Sequence, residues 1–262
     1  MKREKISVPG MSRTTSWHWN REDFSKQWEF LREGMRSGKI TGETIWDTTS
    51  KDVRLFTVPG DDGPYRVAFK NYFEKRVFRY LFRPSQAARE ALGFKIAESL
   101  GIPLVEVLAF GETRRFFRVT DAYFVTRFAE GTETMLYFKD HPEERELLLR
   151  LLRENIVRLA RLHAAGYIYG GAHPRNILWR RAEDGSADSL WLDMATVRKM
   201  SLFSRRWKYL LTDLSDFTEA FRLTQEELDL LAAEYRKISG IPAAYRLRTD
   251  HVRKFSEAFR IR

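Results

Sequence analysis

The chain has 262 residues, of which 43% are hydrophobic, 14% aromatic and 31% charged, enough for one large domain or two joined lobes and incompatible with a disordered chain. It contains no Cys, which excludes a disulfide scaffold and a Cys-based zinc site, and no pair among its five His has metal-ligand spacing. Lys plus Arg number 46 against 36 Asp plus Glu, a net charge of +10 that favours anionic partners.

Residues 1–20 are polar and rich in Ser, Thr and Arg and are expected to wrap or fray. Residues 21–36 intersperse charges with Phe24, Trp28, Phe30 and Leu31, which predicts a short helix broken at Ser37-Gly38. Strands are predicted over 43–48, 53–58 and 65–70, the last two joined by the turn cluster PGDDGP. Ser85 is an N-cap for a helix that stops at Gly101, with Pro103 just beyond. Strands over 104–110, 115–120 and 122–128 follow, then a link at 131–134. From Glu143 to Ala165, Leu148, Leu151, Leu152, Ile156, Leu159 and Leu162 form the apolar stripe of a long amphipathic helix ended by Gly166. Two short strands, 176–180 and 189–193, flank a polar loop. The tail is helical, with a capping box at Thr224 and Glu227 and a stop at Gly240. This order predicts an α+β fold in two lobes: an N-terminal extension with a short helix (1–36), a β-rich lobe (37–128) and a helical lobe (129–262), hinged near 127–131.

Four residues fall in an order that suits phosphoryl transfer. Lys70 ends the strand VAFK, Glu90 lies on the helix that follows, Asn176 sits in HPRNIL, and Asp193 ends the strand LWLD. A strand Lys neutralises phosphate oxygens, a helix Glu holds that Lys, and an Asn with an Asp offers hard oxygens to Mg²⁺.

The segment LHAAGYIYGGAHPRNILW resembles the catalytic loop of protein-kinase-like small-molecule and sugar kinases, whose pattern is His-Gly-Asp-Leu-His-Pro-x-Asn-Ile-Leu. The stretch YRVAFKNYFEKRVFRYLFRPSQAAREALGFKIAESLGIPLVEVLAFG resembles the bacterial lipopolysaccharide core kinases, the Kdo/heptose kinase family, and the resemblance spans residues 43–220. It implies a bilobal protein-kinase-like fold, ATP with Mg²⁺ as phosphoryl donor, and an inner-core sugar of lipopolysaccharide as acceptor. By the same resemblance Lys70 and Glu90 face the nucleotide, Ser50 lies in the phosphate-covering loop at residues 48–52, Arg127 and Ala129 contact nucleotide in the segment joining the lobes, and Asn176 and Asp193 hold the metal. The match has gaps. The loop's Asp is Gly171, its first His is Tyr169 and its Leu is Ala172; Asp193 is followed by Met194 and Ala195; and the 48–52 loop has no Gly. A general base contributes about 10²–10⁴-fold, so impaired catalysis with retained nucleotide binding, as in a pseudokinase, is expected. An active kinase without the Asp base is the alternative, with His173 the first candidate to replace it.

Two basic aromatic stretches, 72–83 and 196–209, suit a phosphorylated glycolipid or an anionic membrane surface. Nucleic acid fits less well, because no recognition-helix, zinc-finger or RNP-type motif accompanies them. No run of 18 apolar residues and no apolar signal core is present. The expected location is cytoplasmic, peripheral at the inner membrane.

Overall fold

Alternating apolar and polar residues joined by short turn clusters favour antiparallel pairing, and the first half of the chain follows that rule. The computed structural model describes residues 2–7, 14–19, 24–48, 51–73, 83–115, 118–181, 186–200 and 206–240. In chain order the elements are β1 (Lys2–Ser7), β2 (Thr14–Trp19), α1 (Phe24–Ser37), β3 (Glu43–Asp47), β4 (Lys51–Val58), β5 (Tyr65–Phe73), α2 (Gln86–Ser99), β6 (Val107–Arg115), β7 (Arg118–Arg127), β8 (Thr132–Glu133), α3 (Thr134–Asp140), α4 (Arg145–Ala164), β9 (Tyr167–Ile168), β10 (Ile177–Arg181), β11 (Ala187–Trp191), β12 (Arg198–Lys199), α5 (Arg206–Thr218) and α6 (Gln225–Ser239). The chain divides into two units: Met1–Phe94 with Val105–Ala129, and Lys95–Leu104 with Glu130–Arg262.

The first unit carries a seven-stranded sheet in the order β1-β2-β6-β7-β5-β4-β3, antiparallel at every step. Side chains alternate along β5, so Val67 and Phe69 face one side and Lys70 and Tyr72 the other. Phe24, Trp28 and Leu31, at helical spacing on α1, pack against Phe56, Val58, Val67, Phe69 and Val125. Trp28 stacks on Phe69 with ring centroids 5.8 Å apart. On the opposite face Phe94 of α2 meets Phe124 of β7 at 5.2 Å. Burying each such side chain contributes about 1.5–3 kcal/mol.

Three features depart from the sequence reading. Residues expected to fray supply β1 and β2, and Trp17 pairs with Gly111. Thr and Trp are favourable strand residues, and added strands need only ladder hydrogen bonds, not apolar alternation. Arg118–Arg127 form the single strand β7 where strands were expected at 115–120 and 122–128; Arg115 ends β6, and residues 116–117 lie outside the described residues. Asp121, between the two expected strands, pairs with Phe73 on one side and Thr113 on the other. The link at 131–134 contains β8, which pairs with β10, and the start of α3.

In the second unit α4 buries Leu148, Leu151, Leu152, Ile156 and Leu159, and α6 buries Leu228, Leu231 and Tyr235. The expected capping box on α6 is present: Thr224 Oγ1 accepts from Glu227 N at 3.3 Å, and Glu227 accepts from Thr224 N at 2.7 Å. The same carboxylate takes the Arg145 guanidinium through Nε at 2.7 Å. Those Arg145 hydrogen bonds are the leading cause that holds the Glu227 carboxyl below its usual range.

Asn155 joins α4 to β11. Its buried amide donates to Leu151 O at 2.8 Å and Ser189 Oγ at 3.1 Å. Its oxygen accepts from Trp191 Nε1 at 2.6 Å and from Arg158 at 3.1 Å. Orphaning a buried donor costs roughly 1–3 kcal/mol, and Asn155→Leu strands more than one. The expected outcome is an unfolding free energy lower by about 3 kcal/mol, read as a shift in the denaturant midpoint at unchanged slope.

Candidate active site

In the first unit Lys70 and Glu90 meet. Lys70 Nζ donates to Glu90 Oε1 at 2.6 Å, and the Glu90 side chain is fully buried while that of Lys70 is 13% exposed. Tyr72, two residues along the same face of β5, donates its hydroxyl to Glu90 Oε2. The ammonium also stands 5.8 Å from the centroid of the Phe124 ring. A carboxylate removed from water needs partners for both oxygens, and the period-two spacing of Lys70 and Tyr72 supplies them. Glu90 is brought there by α2, which buries Ala87, Glu90, Ala91 and Phe94 on one face. The helix begins as expected: Ser85 Oγ accepts from Ala88 N at 3.1 Å. Ser85 N in turn donates to Glu112 at 3.2 Å. Burial pushes the Glu112 carboxyl up, but hydrogen bonds from Arg114 and Ser85 outweigh it and leave the group below its usual range.

The other expected nucleotide contacts of this unit divide. Thr48 and Lys51 close the β3–β4 hairpin, with Thr48 N donating to Lys51 O at 2.9 Å. Ser50 lies outside the described residues. Arg127 spends its side chain locally, with Nε donating to Glu106 at 2.6 Å and the guanidinium 4.1 Å from the Tyr65 ring centroid. Ala129 is the last residue of the unit.

In the second unit the loop between β9 and β10 holds Gly171, His173 and Asn176. Asp213 of α5 anchors it. This fully buried carboxylate accepts from Tyr169 N and Gly170 N, each at 2.7 Å, and lies 3.0 Å from His163 Nε2. A carboxylate only accepts, so His163 carries its proton on Nε2, and Nδ1 faces the Tyr235 hydroxyl at 2.6 Å. Gly170 adopts φ +69, a backbone shape that favours glycine.

Gly171 O accepts from His173 N at 2.7 Å and from Asn176 Nδ2 at 3.0 Å. With its nitrogen so used, the Asn176 amide turns its oxygen elsewhere, and that oxygen has no hydrogen bond among the described residues. His173 caps the turn Pro174–Asn176, its Nδ1 accepting from Arg175 N at 3.3 Å. Asn176 and Asp193 lie at the same end of the β10–β11 hairpin, because Ile177 pairs with Trp191 and Leu192 N donates to Asn176 O at 2.9 Å. Asp193 Oδ1 accepts from Ala195 N at 3.2 Å. Hard carboxylate and amide oxygens are the donor chemistry that Mg²⁺ prefers, so this pair fits that ion.

The sequence reading missed Asp213. Its signal was a carboxylate set among Leu210, Leu211, Leu214 and Phe217 in a helical stretch, where a buried acid needs a backbone partner. Of the basic stretches, residues 74–82 and 201–205 lie outside the described residues; Arg198 and Lys199 form the exposed strand β12. No described helix is long and apolar enough to cross a membrane.

No protein-family model matches the chain, and no curated protein matches it. Among solved structures, that of WaaP in complex with acyl carrier protein matches with a TM-score of 0.61 at 14% identity, over 84% of this chain and 88% of that one. At that identity the likeness speaks for the fold: an α+β, protein-kinase-like architecture with a β-rich and a helical part.

Asp216 gives this site a pH signature. Burial first, then Asp213 and Glu219, push its carboxyl up to about 6 against the opposing pull of Arg175. A carboxyl raised in the folded state favours the protonated form. Its stabilising contribution is full below the unfolded value near 3.8 and is lost as pH rises through about 6. Asp216→Asn should therefore raise stability at pH 8 by about 1–2 kcal/mol, after discounting for partial exposure, and change little at pH 4. Melting curves across that range check the sign.

Proposed function

We propose that this chain is a lipopolysaccharide-kinase-like protein that binds ATP with Mg²⁺ and transfers phosphate poorly. The observation that carries the reading is the buried Lys70–Glu90 ion pair at 2.6 Å, set on a protein-kinase-like fold. A surface Lys would be solvated; this one is drawn onto a helix carboxylate, the arrangement in which an ammonium is fixed to meet phosphate oxygens. The Kdo/heptose-kinase-like pattern of residues 43–220 supplies the acceptor class, an inner-core sugar of lipopolysaccharide, and places the protein's work in envelope assembly.

In this reading Lys70 binds the α- and β-phosphates, and Glu90 and Tyr72 hold it in place. Asn176 and Asp193 present oxygens to the metal, and Asp213 fixes the loop that carries Asn176. Bound Mg²⁺ supplies charge neutralisation on the phosphates. The peptide groups of Arg127 and Ala129 border the base. Gly171 offers no group to take or orient the acceptor's proton, which costs about 10²–10⁴-fold. Because the transition state for phosphoryl transfer is loose, positioning and charge neutralisation still support slow turnover.

ATP with Mg²⁺ should raise the melting temperature: a ligand at 100 times its Kd adds about 2.7 kcal/mol. Lys70→Ala should abolish most of that shift, and Asn176→Ala should remove its Mg²⁺ dependence. An unchanged melting temperature at millimolar ATP with Mg²⁺ would refute the nucleotide reading.

The net charge of +10 and the basic aromatic stretches support a place at an anionic glycolipid surface. Vesicles containing anionic lipid should retain the protein at low salt and release it above about 0.5 M salt, where screening shortens to a few ångströms. Equal retention on neutral vesicles would count against this surface role.

A further inference from the structure

Position 171 lacks a carboxylate, yet the space beside it is taken. A Cβ placed on Gly171 would lie 2.8 Å from Thr196 Oγ1, closer than non-bonded atoms tolerate. Gly171 is not among the glycines with positive φ, whereas its neighbour Gly170 is at φ +69. The backbone at 171 thus accepts any L-residue, and the neighbour that excludes a side chain is the Thr196 hydroxyl. An Asp carboxyl carbon sits about 1.5 Å beyond its Cβ, one single bond away. The Thr196 oxygen therefore crowds the first atom of any side chain placed at 171, an aspartate's included.

The backbone that carries the hydroxyl is held in place, and the hydroxyl is available. Asp193 Oδ1 accepts from Ala195 N at 3.2 Å, Val197 N donates to Met194 O at 3.1 Å, and Arg198 pairs with Ile168. These bonds hold the backbone on both sides of Thr196, which is half-buried. Its Oγ1 makes no hydrogen bond among the described residues. A threonine hydroxyl has one donor and two acceptor sites, so it can receive a hydrogen bond from another hydroxyl. His173, the other candidate, has Nδ1 turned into its own loop at 3.3 Å from Arg175 N.

We propose that Thr196 is the acceptor-binding group of this site: its hydroxyl hydrogen-bonds the attacking hydroxyl of the sugar from the space that an aspartate at position 171 would fill. The inference rests on the kinase reading above and names the residue that aims the acceptor. In the transfer the acceptor oxygen bonds to the γ-phosphorus as the bond from that phosphorus to its bridging oxygen breaks, and the acceptor's proton passes to an oxygen of the transferred phosphoryl group. Thr196 ends the step with the proton it began with. It orients the nucleophile and removes no proton, so the rate carries no acid limb from a loop carboxylate.

The test is phosphate transfer from ATP with Mg²⁺ to a dephosphorylated inner-core oligosaccharide of lipopolysaccharide, with the ATP-induced melting shift measured for every variant. Thr196→Val keeps the shape and deletes the hydroxyl. The expected result is kcat lower by about tenfold, the cost of one oriented hydrogen bond, with KM for ATP and the melting shift unchanged. Thr196→Ser should retain most of kcat, and Thr196→Ala, which relieves any crowding by the valine, should repeat the loss. Gly171→Asp alone meets the hydroxyl; Gly171→Asp with Thr196→Ala has room for the carboxylate. The double variant should exceed the single one in rate and acquire an acid limb in the carboxylate range, which a merely structural threonine would not produce. Wild-type rates in Thr196→Val and Thr196→Ala overturn the proposal, as does a wild type that binds ATP with Mg²⁺ and transfers nothing; in both cases the nucleotide-binding reading stands. Loss of the melting shift in the wild type overturns both together.

Discussion

The buried carboxylate of Asp213 sets the geometry of the loop that carries the candidate chemistry. An acid without solvent must find donors or lose several kcal/mol, and Asp213 finds them in the peptide groups of Tyr169 and Gly170 and in His163. To present two successive amides to one carboxylate the chain turns at Gly170, where φ is +69. That turn orients the next peptide so that Gly171 O receives both His173 N and Asn176 Nδ2. One desolvated charge on α5 thereby determines, through a short run of backbone, where the Asn176 amide stands.

The first unit uses the same physics. Glu90 is fully buried and is satisfied by Lys70 and Tyr72 from one face of β5. A buried ion pair contributes little net stability compared with a well-packed apolar substitute, because desolvation offsets the attraction. What such a pair does is fix geometry: it ties a particular turn of α2 to a particular residue of the sheet. Both units thus hold costly polar anchors beside their candidate site residues. Asn155 adds a third, joining α4 to the strand that ends near Asp193.

Against this retained framework, the departure at Gly171 is local. The loop anchor, the Asn176 contact and the Lys70–Glu90 pair are all formed, while position 171 carries no side chain. The space beside Gly171 is taken by the Thr196 hydroxyl, 2.8 Å from where a Cβ would stand.

Local chemistry made much of this legible in the amino-acid order. Ser85 caps α2, Thr224 and Glu227 form the capping box on α6, and the stripe on α4 is the buried one, because caps and periodicities act over a few residues. The Lys70–Glu90 pairing was readable because a strand Lys followed by a helix Glu is the order that the kinase resemblance implies, and the two side chains meet at 2.6 Å. Other features were not, since they depend on residues far apart in the chain. Asp121 stands between two expected strands until Phe73 and Thr113 flank it, and the polar segment at 1–20 looks unstructured until β6 offers an edge. Asp213 and Asn155 read as ordinary helix polar residues; only packing shows that no water reaches them and that distant backbone must satisfy them. The amino-acid order alone shows that position 171 is Gly, with no side chain to offer. Its closeness to Thr196 is visible in the fold and not in the order of residues, because the contact joins two loops separated by a β-hairpin and no local pattern encodes it.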